Sequence, residues 1–255
     1  GFAWFDSPIL EMIAIFFMVV AGVNFAIHFT SWKRASTQPY FQDPELKVYA
    51  TLLLLFATLT TISLYLEGTY ESLPESARYA TFQVVSVMTT TGFSTANFSI
   101  WPGFLPIMLI CMAFIGGCAG STCGGMKVIR VMLLYRQAAR EIRRLIHPNA
   151  VIPVKIGGKK TSATVMDAVW GFFFLYVASF VMITIFLNGV GVDPVTAYSA
   201  AAACITNLGP GLGDVSANYA SLSSPAKLIL SFAMLMGRLE IFTLLVLFSP
   251  AFWRD

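Results

Sequence analysis

The chain has 255 residues, 57% of them hydrophobic and only 11% charged, with a formal net charge of +3. Soluble domains are about 25% charged, so a chain with mean hydropathy +0.74 cannot cover a water-facing surface and takes lipid as its solvent. Soluble globular classes are excluded on that ground.

The chain opens at Gly1 with no initiator Met, which suggests a fragment or a processed or trimmed chain, and no signal peptide with a basic leading region is visible. Asp6-Ser7-Pro8 is a helix start, with a capping side chain followed by Pro in the first turn. From it a first apolar span runs to about Phe29, and a second runs from about Leu46 to Leu66. A short apolar segment, Ala77 to Met88, follows and ends in the polar run MTTTGFSTANF. A third span begins near Gly103, a fourth covers about Ala163 to Leu187, and a fifth about Ala226 to Phe248. Between the last two lies a second short segment, Pro194 to Ile205, ending at Asn207-Leu208-Gly209-Pro210-Gly211. A bilayer crossing needs about 20 apolar residues, which the full spans have. The short segments, about 12 residues each, rise only ~18 Å and are predicted to dip in and turn back. Re-entrant backbone is tolerated at membrane depth only where protein buries it or it lines water.

The chain therefore contains one arrangement twice: full helix, short helix, glycine loop, full helix. The loop glycines, Gly92 and Gly209, are 117 positions apart, and a repeat of this anatomy builds ion-conducting folds. The first span has no partner in this chain and reads as the last helix of a preceding unit. A dehydrated cation needs oxygens in place of its water shell, and backbone carbonyls of a glycine-permitted loop provide them without net charge. Thr90-Thr91-Gly92-Phe93 and Thr206-Asn207-Leu208-Gly209 are the candidate filter strands. Each short helix would aim its negative C-terminal end at the ion. The alternative is an ordinary turn at the lipid interface.

From Gly103 the apolar pattern continues to about Arg136, some 34 residues. As one straight helix that is ~51 Å, longer than a bilayer core even when tilted. Its middle holds Gly116, Gly117, Gly120, Gly124 and Gly125 among small side chains. Glycine costs about 1 kcal/mol per helical site, so the stretch is predicted non-helical, lining a cavity as a gate. Close helix packing through small residues is the alternative. Arg238, midway along the last span, is the second gate candidate: a charge there faces the bundle interior or a cavity. The alternative is a buried ion pair with Glu11 or Glu240. The cysteines, Cys111, Cys118, Cys123 and Cys204, sit in apolar or glycine-rich sequence, and small buried thiols fit better than a metal site.

Of the 16 Lys and Arg, 13 fall on one side, in the loop from Thr30 to Lys47, in Lys127–Lys160 and at Arg254. Arg78 and Lys227 fall on the other. The basic side is expected to be cytoplasmic, with the C-terminus on it and both dips entering from outside. The same rule accounts for the basic run Lys127–Lys160 without nucleic acid, although its arginines could touch anionic lipid or a cytosolic partner.

TTTGFST (Thr89–Thr95), GGCAGSTCGGMK (Gly116–Lys127) and ITNLGPGLG (Ile205–Gly213) resemble the Trk/Ktr/HKT potassium transporters, closest to the bacterial TrkH subunits. The resemblance covers nearly the whole chain. It implies an all-α integral membrane protein of repeated helix–pore helix–filter loop–helix units, as in K⁺ channels, with four units around one pore. It implies a third unit at 46–144, a fourth at 163–255, a cytoplasmic linker at 145–162, and residues 1–45 as the last helix of the second unit with its cytoplasmic loop. K⁺ would be the transported ion, held at Thr90, Thr91, Asn207 and Leu208, with no organic cofactor. It further implies a homodimer in the bacterial inner membrane and a cytosolic nucleotide-binding regulatory subunit resembling TrkA. The first two filter strands lie outside this chain. A Na⁺-permeable or cation-symporting relative, a non-conducting structural subunit and an integral membrane enzyme are the alternatives. For the enzyme there is no acidic pair at mid-membrane and no nucleophile–base spacing.

Overall fold

The computed structural model of the chain describes residues 2–150, 152–239, 241–247 and 250–253. Helices dominate, and a proline in the first turn or a capping side chain starts most of the long ones. Helix α1 (Pro8–Ala21) is followed by α2 (Phe25–Arg34) and the short α3 (Gln38–Gln42). Helix α4 (Pro44–Leu66) starts where Asp43 Oδ1 accepts the Leu46 N–H at 2.8 Å. Helix α5 (Leu73–Met88) is capped by Ser72, whose Oγ accepts the Glu75 N–H at 3.3 Å. Helices α6 (Leu105–Ile115) and α7 (Val128–Ile146) follow. After a two-residue hairpin, β1 (Lys155–Ile156) with β2 (Lys159–Lys160), come α8 (Ala163–Gly189) and α9 (Pro194–Ile205). The chain continues through α10 (Ser224–Arg238) and α11 (Ile241–Leu247).

Five unbroken crossings are not what forms. Among the described residues only α4 and α8 are single helices long and apolar enough to span a bilayer. The span expected from Pro8 to Phe29 is broken at Gly22-Val23-Asn24, where α1 and α2 meet at 91°. Asn24 Oδ1 accepts the Ala26 N–H at 2.9 Å and starts the second helix afresh. The expected last span stops at Arg238 and resumes as α11; Glu240, Phe248 and Arg254 lie outside the described residues. The first short helix begins at Leu73, four residues before Ala77, because Ser72 and Pro74 start a helix rather than prolong a loop. The hairpin between α7 and α8 has no counterpart in the sequence-based expectations.

Two units repeat. In one, α5 packs between α4, α1 and α6; in the other, α9 packs between α8, α10 and α6. Large apolar side chains on α1, α4 and α8, such as Phe16, Leu54, Phe174 and Ile185, are exposed, as a lipid-facing surface requires. The interior combines large apolar side chains, among them Phe82, Leu105 and Leu109, with small ones. Ala197 and Ala200–Ala203 on α9 are fully buried, and small residues let helix backbones approach closely where lipid supplies no hydrophobic drive. Cys118, Cys123 and Cys204 are buried as expected, but Cys111 is exposed.

Candidate ion-conduction site

Both short helices end in the same turn. Thr90 N–H donates to Val87 O at 3.0 Å and Thr91 N–H to Ser86 O at 2.9 Å. Asn207 N–H donates to Cys204 O at 3.1 Å and Leu208 N–H to Ala203 O at 2.8 Å. This is the Schellman pattern, and it needs a left-handed residue just past the helix. Thr90 and Asn207 fill that place with φ of 51° and 57°. A β-branched Thr there is strained. Thr89 and Thr206 match as well: each hydroxyl donates back four residues, to Val85 O at 2.7 Å and Ala202 O at 2.8 Å. The short helices α5 and α9 thus end at two equivalent exits, where the negative helix ends favour a cation.

Beyond the exits the chain extends through Gly92 (φ +76°) and Gly209 (φ +103°). The two strands touch. The space that a side chain on Gly92 would need is occupied by the Leu208 carbonyl, so only glycine fits. Polar groups behind the strands hold them. Ser86 Oγ donates to Phe93 O at 2.6 Å, and Gln83 Nε2 donates to Ala96 O at 2.6 Å. Ser199 Oγ donates to Leu212 O at 3.1 Å, and Tyr219 Oη donates to Gly209 O at 2.6 Å. On one side of the strands is a vestibule of about 650 Å³, lined by Gly92, Phe93, Gly209, Pro210 and Asn218 among others.

On the other side lies the stretch from Gly116 to Lys127, which is non-helical between α6 and α7. Positive φ at Gly116, Gly120 and Gly125 (72°, 67° and 73°) keeps it so. It is tied to everything around it. Gly124 N–H donates to Thr90 Oγ1 at 2.6 Å, and a side chain on Gly124 would meet the Thr206 carbonyl. Cys118 N–H donates to Gly22 O at 2.9 Å, and Phe25 N–H to Gly120 O at 3.1 Å. The break in α1–α2 and the loop thereby satisfy each other's backbone, which hydrocarbon would not. Gly117 lies against Gly22 O and the Cys123 thiol. Glu45, buried on α4, accepts the Ala119 N–H at 2.7 Å and the Ile129 N–H at 3.0 Å, joining the loop to the start of α7. Arg238 donates to Thr122 O at 3.2 Å. A cavity of about 380 Å³ opens beside the loop, lined by Gly120, Gly124, Gly125, Lys127, Tyr176 and Arg238 among others.

The structure therefore gathers thirteen of the fourteen sequence-predicted site residues into two touching strands and one loop pressed against them, and brings the fourteenth, Arg238 at the end of α10, onto that loop. It removes one alternative: Glu11 pairs with Arg78, through bonds of 2.7 and 2.8 Å, and not with Arg238. Pairing with Glu240 lies outside the described residues. Sequence reasoning missed Tyr219, a lone aromatic in a polar loop with no signal to mark it. It also missed Glu45, which reads as a routine first-turn acid, and the Gly22–Asn24 break, which the Gly-x-Asn pattern could have revealed.

Comparisons with known proteins agree with this architecture. The family model described as "TrkH: Cation transport protein" matches residues 1–255. The Trk system potassium uptake protein TrkH of Halomonas elongata is 50% identical over 251 residues, covering 98% of this chain and 52% of the relative. The Escherichia coli protein of the same name is 44% identical over 252 residues, covering 99% and 52%. The crystal structure of the potassium transporter TrkH from Vibrio parahaemolyticus superposes with a TM-score of 0.94 at 44% identity, covering 99% of this chain and 54% of that one. The chain thus spans about half the length of the relatives it matches, and it belongs to the TrkH family of cation transport proteins.

Proposed function

We propose that the chain forms two walls of a potassium uptake pore, residues 90–93 and 206–209 coordinating K⁺ chiefly through backbone carbonyls at Thr90, Thr91, Asn207 and Leu208. The observation that carries this is the duplicated helix exit: Thr90 and Asn207 share one left-handed conformation, and Gly92 packs directly on the Leu208 carbonyl. Two neutral, oxygen-rich strands at the negative ends of two helices favour a dehydrated cation. The units are 46–144 and 163–255, joined by the linker 145–162, with 1–45 closing a preceding unit. The loop carrying Gly116, Gly117, Gly120, Gly124 and Gly125 acts with Arg238 as the gate below the filter. The basic side faces the cytoplasm of a bacterial inner membrane and includes the C-terminus. The whole protein works as a homodimer regulated from that side by a nucleotide-binding subunit. The relatives' name, "Trk system", is in keeping with such a partner.

The test is rubidium uptake into liposomes holding the full-length parent protein, with K⁺ and Na⁺ as competitors. K⁺ should compete and Na⁺ should not, and Gly92→Ser should erode that preference. Flux that is absent, or competition unchanged by Gly92→Ser, leaves Thr90–Phe93 as a membrane turn and overturns the proposal. Equal competition by Na⁺ points instead to a Na⁺-permeable relative.

A further inference from the structure

The two candidate filter glycines are held by different means. Gly92 is fixed by packing, against the Leu208 carbonyl and with Pro210 Cδ at 3.2 Å from the place a Cβ would take. Gly209 has nothing within 4 Å of that place, and its φ of +103° is one that side chains rarely adopt. Beside it, between α9 and α10, lies a cavity of about 310 Å³ lined by Cys204, Asn207, Tyr219 and Leu230 among others. Gly209 leads into Pro210, whose ring fixes the next φ, so its peptide cannot flip, but the open side leaves its carbonyl oxygen room for small displacements. A side-chain hydrogen bond limits those displacements. Tyr219 Oη donates to Gly209 O at 2.6 Å, and the Cys204 thiol donates to the same phenol at 3.8 Å. The segment carrying Tyr219 is itself pinned, since Lys227 Nζ donates to Ala220 O at 2.9 Å and Leu222 N–H to Tyr219 O at 3.3 Å.

We propose that Tyr219 is a selectivity-setting positioning residue, its hydroxyl fixing the orientation of the Gly209 carbonyl in the fourth filter strand. This rests on residues 206–209 being a filter strand. A carbonyl filter discriminates between cations by where its oxygens sit and how firmly they are held. At Gly92 packing supplies that firmness; at Gly209 the phenol does. Losing the hydroxyl leaves the Gly209 oxygen less firmly placed, and the site then admits a smaller ion that a firm ring of oxygens refuses.

The experiment is rubidium uptake by the full-length protein in liposomes, comparing wild type, Tyr219→Phe and Tyr70→Phe. Tyr70 accepts from Trp101 Nε1 at 3.3 Å, away from the filter, so it controls for losing a hydroxyl as such. Tyr219→Phe should still conduct, but its K⁺-over-Na⁺ preference should fall by about two- to tenfold, the scale of one hydrogen bond. Its apparent KM for rubidium should rise more than its maximal rate changes, and Tyr70→Phe should match wild type. A preference unchanged in Tyr219→Phe, or lowered equally in Tyr70→Phe, overturns the proposal. Where Tyr219→Phe cannot be recovered folded, a ring-fluorinated tyrosine at 219 keeps the shape and strengthens the donor; a shifted preference supports the proposal and an unshifted one overturns it. Selectivity eroded by Gly92→Ser but untouched at 219 sinks this inference alone, whereas a non-selective wild type sinks the filter reading with it.

Discussion

The Gly124 N–H donates to the Thr90 hydroxyl across 2.6 Å, so the residue that opens the first of the two candidate filter strands also latches the loop beside it. Gly124 lies against the Thr206 carbonyl too, and the loop therefore covers the starts of both strands at once. Thr90→Val keeps the branched shape and removes the acceptor. The Gly124 N–H is then buried without a partner, which costs this packing of the loop about 1–3 kcal/mol. Basal rubidium flux through the full-length protein should rise by about fivefold or more, with the K⁺ preference retained. Thr90→Ser, which keeps the hydroxyl, should behave as wild type. A Thr90→Val flux equal to wild type would mean that this hydrogen bond does not restrain the loop.

Gly92 and Gly68 share a left-handed backbone, with φ of +76° and +66°, but only Gly92 is crowded. Alanine costs both sites about 1–2 kcal/mol of backbone strain. At Gly68 nothing lies within 4 Å, so Gly68→Ala should lower the melting temperature slightly and leave ion competition intact. At Gly92 the new methyl meets the Leu208 carbonyl, and Gly92→Ala should abolish the K⁺ preference. Flux competition measured beside thermal melting separates the two effects, and equal ion preference in the two variants would count against a shared filter.

The parts legible in the sequence are those where one local signal has no rival. Asp193-Pro194 starts α9 and the Thr206-Asn207 exit ends it, so its bounds were read correctly from Pro194 to Ile205. The glycines between Gly116 and Gly125 outweigh any helix preference, and that stretch is non-helical. Where hydrophobicity runs on unbroken, it hid the backbone. Gly22 and Asn24 stop and restart a helix inside what scans as a single span, and the break holds only because Cys118 and Gly120 complete its hydrogen bonds from nearly 100 residues away. Such long-range pairing leaves no periodic trace. For the same reason neither Glu45, which caps the loop and α7 together, nor Tyr219, which reaches back to Gly209, could be singled out.

The Glu11–Arg78 pair joins α1 to α5 at the entry of the first short helix. Glu11 is 3% exposed and both its oxygens accept from Arg78, which also reaches Asp6 at 3.0 Å. Removing one partner of a buried pair leaves a charge uncompensated and costs about 3–5 kcal/mol. Arg78 keeps some solvent contact, with 27% of its side chain exposed, so the low end, about 3 kcal/mol, is expected for Arg78→Met. The double variant Glu11→Met with Arg78→Met should recover most of that loss. Melting in detergent checks both, and a double variant no more stable than Arg78→Met would show that the pair is not the source of the effect.

Asp193 gives α9 a pH dependence whose sign can be worked out. Its carboxylate accepts the Thr196 N–H at 3.0 Å. Hydrogen bonds from Thr196, the side chain first and the backbone next, hold the carboxyl below its ordinary range. A carboxyl lowered by folding binds its proton more readily in the unfolded chain. The cap's contribution is therefore fully present above the unfolded value, about 3.9, and is lost as pH falls through the lower folded value. Asn caps a helix about as well as Asp and does not titrate. Between about pH 6 and pH 3 wild type should lose stability relative to Asp193→Asn, and by a small amount because Asp193 is exposed. Thermal melts of both proteins across that range make the comparison. Parallel curves would show that the Asp193–Thr196 cap adds nothing to stability at neutral pH that acid can remove.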